Sequence, residues 1–522
     1  MLALKKKSDI IFEEKFMKKF LIAILIVVLM AGSAVGGVFI YRATQGSNNE
    51  ITIVESEKGS ISVSNDKAKA GEEVDLTCEP KNGYELDYYL VNGEKLDGSS
   101  FVMPEEDVEV SAEFKVIKYT ITYENLSQYA VNSNIVTQYD VETNDITLRE
   151  PTRVGYAFAG WYKESSFVHK LTKISKGSYG NLNLYAKWEA LFEYNSSGEI
   201  TALTNYAKNN SFETFTFPNK IDGQTITKIG SNLNINGTKY KNIVIEKGIT
   251  TIGENVFKRE TSTKHVEKVM YTGTLDEWCT IDFAAETSTP TIFCYDGTDF
   301  YINGMHLTGK ITLPQTNYIK PYIFYNVGDI TEIVLPSTVK YIGVSAFENC
   351  VGLLKANLSK VVMFYDRAFR NCKKLYSVGD FELAQSIGNR AFYNTDLTSV
   401  SFGDYLTTIG DSAFRDSNLN SVNLDSYRLT TVGDSAFYAC SITELIVDTL
   451  YDVSFGEDAF ANNIWLENIY LKSSTGEVSI GETTFEYCNI ENIYINDSMI
   501  DEYKANAKWQ NYTTYMKNLS EA

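Results

Sequence analysis

Ile342-Gly343-Val344-Ser345-Ala346-Phe347-Glu348-Asn349-Cys350, preceded by Ile333-Val334-Leu335-Pro336, decides the fold because the same unit returns along more than half of the chain. Its phenylalanine recurs as Phe257, Phe324, Phe347, Phe369, Phe392, Phe414, Phe437, Phe460 and Phe485. From Phe324 onward the gaps are 23, 22, 23, 22, 23, 23 and 25 residues, and the first gap, 67, is close to three units. Five residues before each Phe stands an apolar residue (Ile252, Ile319, Ile342, Phe364, Ile387, Ile409, Val432, Phe455, Ile480). Four before, seven of nine positions are Gly; immediately before, six of nine are Ala. A fixed period of this length means stacked coils, none able to bury its apolar side alone. With neighbouring strands about 4.8 Å apart, equivalent phenylalanines form one buried column. On this reading the Gly permits a tight corner and the Ala a close approach at the turn.

The unit I-G-x-x-A-F-x-x-C, with I-x-L-P ahead of it, resembles the BspA-type leucine-rich repeat, over roughly 220–496. Residues 258–310 depart from the pattern. Around Tyr271-Thr272-Gly273-Thr274-Leu275-Asp276-Glu277-Trp278 an insertion bulging from the solenoid is expected. After Ile495 the period is lost, and Met499, Ile500, Tyr503, Trp509, Tyr512 and Met516 suggest a helical cap over the last open edge.

Upstream, residues 51–116 alternate apolar and polar positions in short runs (Ile51-Thr52-Ile53-Val54, Val74-Asp75-Leu76-Thr77, Val108 to Phe114) punctuated by Gly71, Gly83 and Gly93, which reads as half-buried antiparallel strands. With Gly83-Tyr84 and Phe101-Val102-Met103-Pro104 the segment resembles the divergent internalin-type B repeat. Residues 117–190 open on Tyr119-Thr120-Ile121-Thr122-Tyr123 and carry Pro151-Thr152-Arg153-Val154-Gly155-Tyr156-Ala157-Phe158-Ala159-Gly160-Trp161-Tyr162. They close on Leu184-Tyr185-Ala186-Lys187-Trp188. This segment resembles the Listeria–Bacteroides repeat, which implies a small β-grasp-like module. Trp161, Tyr162 and Trp188 read either as a carbohydrate-stacking platform or as the filling of a small core.

Phe20 to Tyr41 is a run of 22 residues without a charge, spanning ~33 Å as a helix. Residues 1–42 carry 7 basic and 3 acidic groups, so the remainder carries 40 − 64 = −24. The basic flank orients residues 1–19 toward the cytoplasm and the acidic bulk outside. The run reads as an uncleaved anchor or, if translation starts at Met17 and the chain is cut after Ala31-Gly32-Ser33, as a signal peptide. Either reading exports the chain.

The organisation expected is therefore a cytoplasmic basic segment (1–19), a transmembrane anchor or signal (20–41), a polar linker (43–50) and a divergent B-repeat module (51–116). A B-repeat module (117–190), a solenoid (191–496, with the insertion near 258–310) and a cap (497–522) follow. The fold class is mainly β: a parallel leucine-rich-repeat solenoid preceded by two small β-grasp-like modules and one transmembrane helix.

Composition narrows the function. The 522 residues have a formal charge of 47 − 67 = −20, which argues against nucleic acid as a partner. Seven Cys are too sparse for a disulfide scaffold, and three His (His169, His265, His306) are scattered. No GxSxG, HExxH, GxGxxG or GxxxxGK[ST] element occurs, so the reading assigns no enzymatic activity, catalytic residue, metal or cofactor. Cys350, Cys372, Cys440 and Cys488 each lie three residues after a column Phe, where Thr395, Ser417 or Asn463 also occurs; they read as small buried thiols, with a Cys350–Cys372 disulfide as the alternative. The acids after the corner Gly (Glu254, Asp411, Asp434, Glu457, Glu482), and Asp366 in the copy lacking that Gly, read as caps of the turn holding Ala-Phe, or as cation ligands. Resemblance to these families implies a cell-surface protein that binds or adheres to an extracellular protein or glycan, held to the membrane by its N-terminal helix or secreted if the signal is cleaved. The alternative is a non-catalytic structural or self-assembling envelope component. Alternate strand positions such as Tyr470, Tyr494 and Ser401 are expected to face outward, with Tyr470 and Tyr494 the candidate ligand contacts. The competing reading is that the two tyrosines only pair across neighbouring strands.

Overall fold

A computed structural model of the chain describes residues 48–258 and 266–522. The apolar run 20–41 and His265 lie outside the described residues, and among those described no helix is long and apolar enough to cross a membrane. The architecture is mainly β, with a parallel solenoid of about 12 turns after β-rich N-terminal repeats.

The chain divides into two compact units, the first built almost entirely from residues before Tyr119. In that first unit one five-stranded sheet runs in the order Lys67–Ala68, Asn49–Ile53, Val108–Val116, Tyr84–Val91, Glu94–Leu96, and a second sheet joins Gly59–Val63, Glu73–Pro80 and Ser100–Val102. The period-two alternation puts Val74, Leu76, Val108, Val110 and Phe114 into one core with Tyr89, Phe101 and Met103.

The second unit begins with a five-stranded sheet in the order Gln138–Tyr139, Tyr119–Glu124, Leu182–Ala190, Tyr156–Tyr162, Lys170–Leu171. Trp161 is its core filler: it is 2% exposed, packs on Tyr123 and Phe158, and its Nε1 donates to the Arg149 carbonyl at 2.9 Å. Trp188 packs edge-on against Phe158, and Tyr162 is half-buried. Ile121, Tyr139, Leu148, Ile174 and Leu184 complete the small core around it. This module is tied to the first coils of the solenoid. Arg153 donates through Nε and a terminal nitrogen to both oxygens of Asp222 (3.1 and 2.7 Å), while the Tyr156 hydroxyl donates to the same carboxylate at 2.6 Å. The guanidinium lies 3.7 Å from the centroid of the Tyr156 ring, and burial together with the Asp222 contact pushes the Tyr156 phenol up to about 12. A bidentate pair of this kind fixes orientation as well as distance.

Most solenoid coils contribute an outer strand, a two- or three-residue second strand and a turn. The second strands (Tyr318–Ile319, Tyr341–Ile342, Met363–Phe364, Ser386–Ile387, Thr408–Ile409, Thr431–Val432, Val453–Phe455, Val478–Ser479) form one eight-stranded parallel sheet. Phe324 through Phe485 stack in a column with centroids 5.1–5.7 Å apart and planes within 20° of parallel. The separation exceeds the strand spacing because the rings are offset, the arrangement their quadrupoles favour. Phe257 stands outside the column and meets Phe217 and Phe293 edge-on.

The turn is bonded from coil to coil. Phe324, Phe347, Phe369, Phe392, Phe414 and Phe437 each donate their amide to the carbonyl of the Ala before the next column Phe, at 2.7–2.9 Å. Two residues past the Phe, Asn326, Asn349, Asn371 and Asn394 take φ between +55° and +64°, a conformation asparagine tolerates. Their side chains hydrogen-bond in series, each amide donating to the Oδ1 of the coil before at 2.8–3.0 Å.

Three expectations change. The Gly four residues before the Phe does not have positive φ. It is required by proximity: a Cβ on Gly343 would come within 2.7 Å of the Ile319 carbonyl oxygen, and one on Gly388 within 2.7 Å of the Asp366 nitrogen. The acids after it do not cap their own turn. Asp366, Asp411 and Asp434 accept from the amides of Asn389, Asp434 and Glu457 in the next coil at 2.9–3.0 Å. Glu457 accepts from Thr483 in the same way, which holds its carboxyl below the usual range. Finally, the described part of 258–310 is no bulge. Lys268–Tyr271 and Asp299–Ile302 continue the outer sheet in parallel, and Trp278, fully buried, donates Nε1 to the Ile323 carbonyl at 2.9 Å.

At the far end, Ile500–Ala505 and the 3₁₀ segment Ala507–Tyr515 cover the last coil, and Met516–Asn518 adds a parallel strand to it. Trp509 is fully buried, packs against Phe485 and donates Nε1 to the Val478 carbonyl at 2.8 Å. Tyr503, also buried, meets Trp509 edge-on and accepts from the Val478 amide through its hydroxyl at 2.7 Å, with its phenol lifted by burial.

Candidate functional site

The outer strands Ser421–Asp425, Glu444–Asp448, Asn468–Leu471, Asn492–Ile495 and Met516–Asn518 form a five-stranded parallel sheet. Alternation sends Val422, Leu424, Leu445, Val447, Ile469, Leu471, Ile493 and Ile495 inward and leaves the intervening residues on the outer face. Register then aligns Asn423, Ile446, Tyr470, Tyr494 and Lys517 in one row across the sheet.

Tyr470 and Tyr494 lie outward and half-buried, their rings stacked at 5.1 Å and 17°. The Lys517 ammonium sits 5.9 Å from the Tyr494 centroid and hydrogen-bonds the Asn492 side chain, which donates to Asn468 at 2.8 Å. Burial, with the Glu444 carboxylate beside it, pushes the Tyr470 phenol up. The result is a fixed aromatic pair flanked by amides and one cation, with few rotamers left to freeze on contact. Ser401 is also exposed, but it lies in a stretch where the outer sheet thins to the isolated pairings Lys355↔Ser377 and Phe381↔Phe402. There a groove of about 730 Å³ opens, lined among others by Glu332, Asn357, Lys360, Ser377, Asp380 and Glu382.

Below Tyr470 in the same sheet, Asp425 and Asp448 face each other across adjacent strands. Burial first, and then the Asp425 charge, raises the Asp448 carboxyl pKa. A carboxyl raised in the folded state opposes folding once pH passes its unfolded value, and the full penalty stands above the folded value. Asp448→Asn is therefore expected to raise Tm at pH 7 and leave it unchanged at pH 3, read by thermal melts at both pH values.

The cysteines of the turn are free thiols. Cys350, Cys372, Cys440 and Cys488 each lie 3.2 Å from the carbonyl of a column Phe in the preceding coil and donate to it. Asn463 replaces the thiol with an amide that donates to Phe437 at 2.8 Å. The position selects a small hydrogen-bond donor, which the sequence pattern had shown only as a small residue. Burial lifts these thiols well above their ordinary range.

Sequence comparison places this geometry in known families. The BspA type leucine rich repeat region matches in six copies over 300–380 and 385–507. The divergent InlB B-repeat domain matches 49–118, and the Listeria-Bacteroides repeat domain matches 119–187. The chain thus carries a BspA-type leucine-rich-repeat region with two B-repeat domains ahead of it. No curated protein matches it. Among solved structures it is similar to a leucine-rich repeat protein from Bacteroides ovatus (17% identity, 62% of this chain and 97% of that one, TM-score 0.35). It is also similar to a leucine rich cell surface protein from Faecalibacterium prausnitzii (17%, 61% and 94%, TM-score 0.27) and to the pneumococcal vaccine antigen PcpA (14%, 64% and 95%, TM-score 0.28). Domains of these kinds are typical of bacterial surface proteins and suggest a protein-interaction role; the matched families are repeat scaffolds, not enzymes.

Proposed function

We propose that this chain is a cell-surface binding or adhesion protein that presents its solenoid to an extracellular protein or glycan, with contact through the outer strand face of the last coils at Tyr470 and Tyr494. The stacked tyrosine pair carries the reading: two large side chains stand stacked and half-buried on the outer face of the sheet. Rigid aromatics of this kind supply contact area at low entropic cost. The export signal expected at 20–41 supports display outside the cell, anchored through that segment or released if it is cleaved. Catalysis has no part in the proposal.

The test is a protein and glycan array probed with the chain from residue 48 onward, alongside sedimentation of the same material. Reproducible, saturable binding to at least one class of ligand is expected. Self-association without ligand binding would favour a structural envelope component instead.

A further inference from the structure

The outer sheet of the solenoid is broken between Ile302 and Gly309. One sheet ends with the hairpin Asp299–Ile302 and Met305–His306, closed by Asn303-Gly304 with φ of +49° and +76°. The next begins at Gly309–Thr312 and continues through Ile330–Val334. His306, at the end of the hairpin, reaches across this seam. Its Nε2 lies 3.1 Å from Asp329 Oδ2, on the far side, and 4.0 Å from Asp299 Oδ1, on the near side. One ligand atom from each of the three residues lies within 4.8 Å of the others.

We propose that Asp299, His306 and Asp329 bind a divalent zinc ion that ties the two sheets together. Bonds of zinc to imidazole nitrogen and carboxylate oxygen, arranged tetrahedrally, put ligand atoms roughly 3.3–3.5 Å apart, and the observed 3.1 and 4.0 Å bracket that spacing. The imidazole is already oriented. Tyr301 stacks on it at 5.3 Å and 29°, and the Tyr301 hydroxyl donates to Asp299 Oδ2 at 3.3 Å, leaving Oδ1 turned to the imidazole. Partners of this outer kind are what hold metal ligands in place. On the far side, the Asp329 backbone carbonyl is anchored by the Gly309 amide at 2.9 Å and the Thr308 hydroxyl at 3.2 Å.

The two carboxylates flank one imidazole and leave negative charge that a cation offsets. The nitrogen donor favours zinc over calcium or magnesium, which take oxygen ligands.

The measurement is calorimetric titration of the metal-free full chain with zinc at pH 7, with thermal melting in zinc and in chelator. One equivalent is expected to bind and to raise Tm. Asp329→Asn and His306→Ala are each expected to weaken zinc binding at least tenfold with unchanged circular dichroism, whereas Asp404→Asn, an exposed carboxylate elsewhere, leaves it intact. Asp329→Asn carries the test should His306→Ala fail to fold. Absence of saturable zinc binding, unchanged affinity in Asp329→Asn, or an equal response to calcium would overturn the proposal.

Discussion

Phe414→Ala is expected to destabilise the solenoid by about 3–5 kcal/mol and to lower the urea midpoint of the whole second unit. Phe414 is fully buried, stacked on Phe392 at 5.4 Å and 4° and on Phe437 at 5.2 Å and 5°, and met edge-on by Phe402. Truncation removes the ring from both stacks at once, and the coils cannot close over the void because their spacing is set by the hydrogen bonds of the strands and turns on either side. The loss is thus a transfer term and a cavity term together. Since each coil is stable only against its neighbours, damage at 414 spreads to the coils of Phe392 and Phe437. Equilibrium urea unfolding followed by circular dichroism checks it; an unchanged midpoint would place Phe414 outside the core.

Gly433→Ala is expected to cost about 1–3 kcal/mol, although the same exchange at a site with ordinary φ and open space is stabilising or neutral. The added Cβ would come 2.7 Å from the Asp411 nitrogen and 2.8 Å from the Gly410 carbonyl carbon, atoms of the preceding coil's backbone that no side-chain rotation moves aside. The coils must part locally, which strains the Asp411 bond to the Asp434 amide next to the substituted residue. Gly328→Ala is the control: its Cβ would meet only a Val351 methyl at 3.3 Å, and a much smaller loss is expected. Equal losses at the two positions, read from urea midpoints, would remove close approach as the reason for glycine.

The column, the small residues beside it and the inward–outward alternation of the outer strands were legible because each repeats along the chain with a fixed period. Bonds between coils were not, because their partners stand 22 or 23 residues apart and local reading looks to the same turn. Asp411, for example, looks locally like a cap of its own turn, whereas it accepts from the amide of Asp434 one coil on. The asparagines at Asn326, Asn349, Asn371 and Asn394 carried a signal, a left-handed-tolerant residue at a constant offset from the Phe, that a search for apolar periodicity passes over. Trp278 reads as part of a bulge because its coil lacks the Phe unit, yet the tryptophan fills the interior together with Tyr271, Phe283 and Phe300. His306 and Asp329 are separated by one coil length, 23 residues, so the period that aligns phenylalanines also brings these two together. At the tyrosine pair, the sequence showed which face the rings take; the stacking follows from the register Tyr470↔Tyr494.

Recognition through the strand face of the last coils is tested most directly by the affinity of the Tyr470→Ser/Tyr494→Ser double variant for the ligand that the array selects. The account predicts at least a tenfold loss, about 1.4 kcal/mol, with circular dichroism and melting close to those of the parent chain, since the stacked pair itself contributes only about 0.2–1 kcal/mol to the sheet. Full affinity in the double variant, with the fold intact, would contradict it.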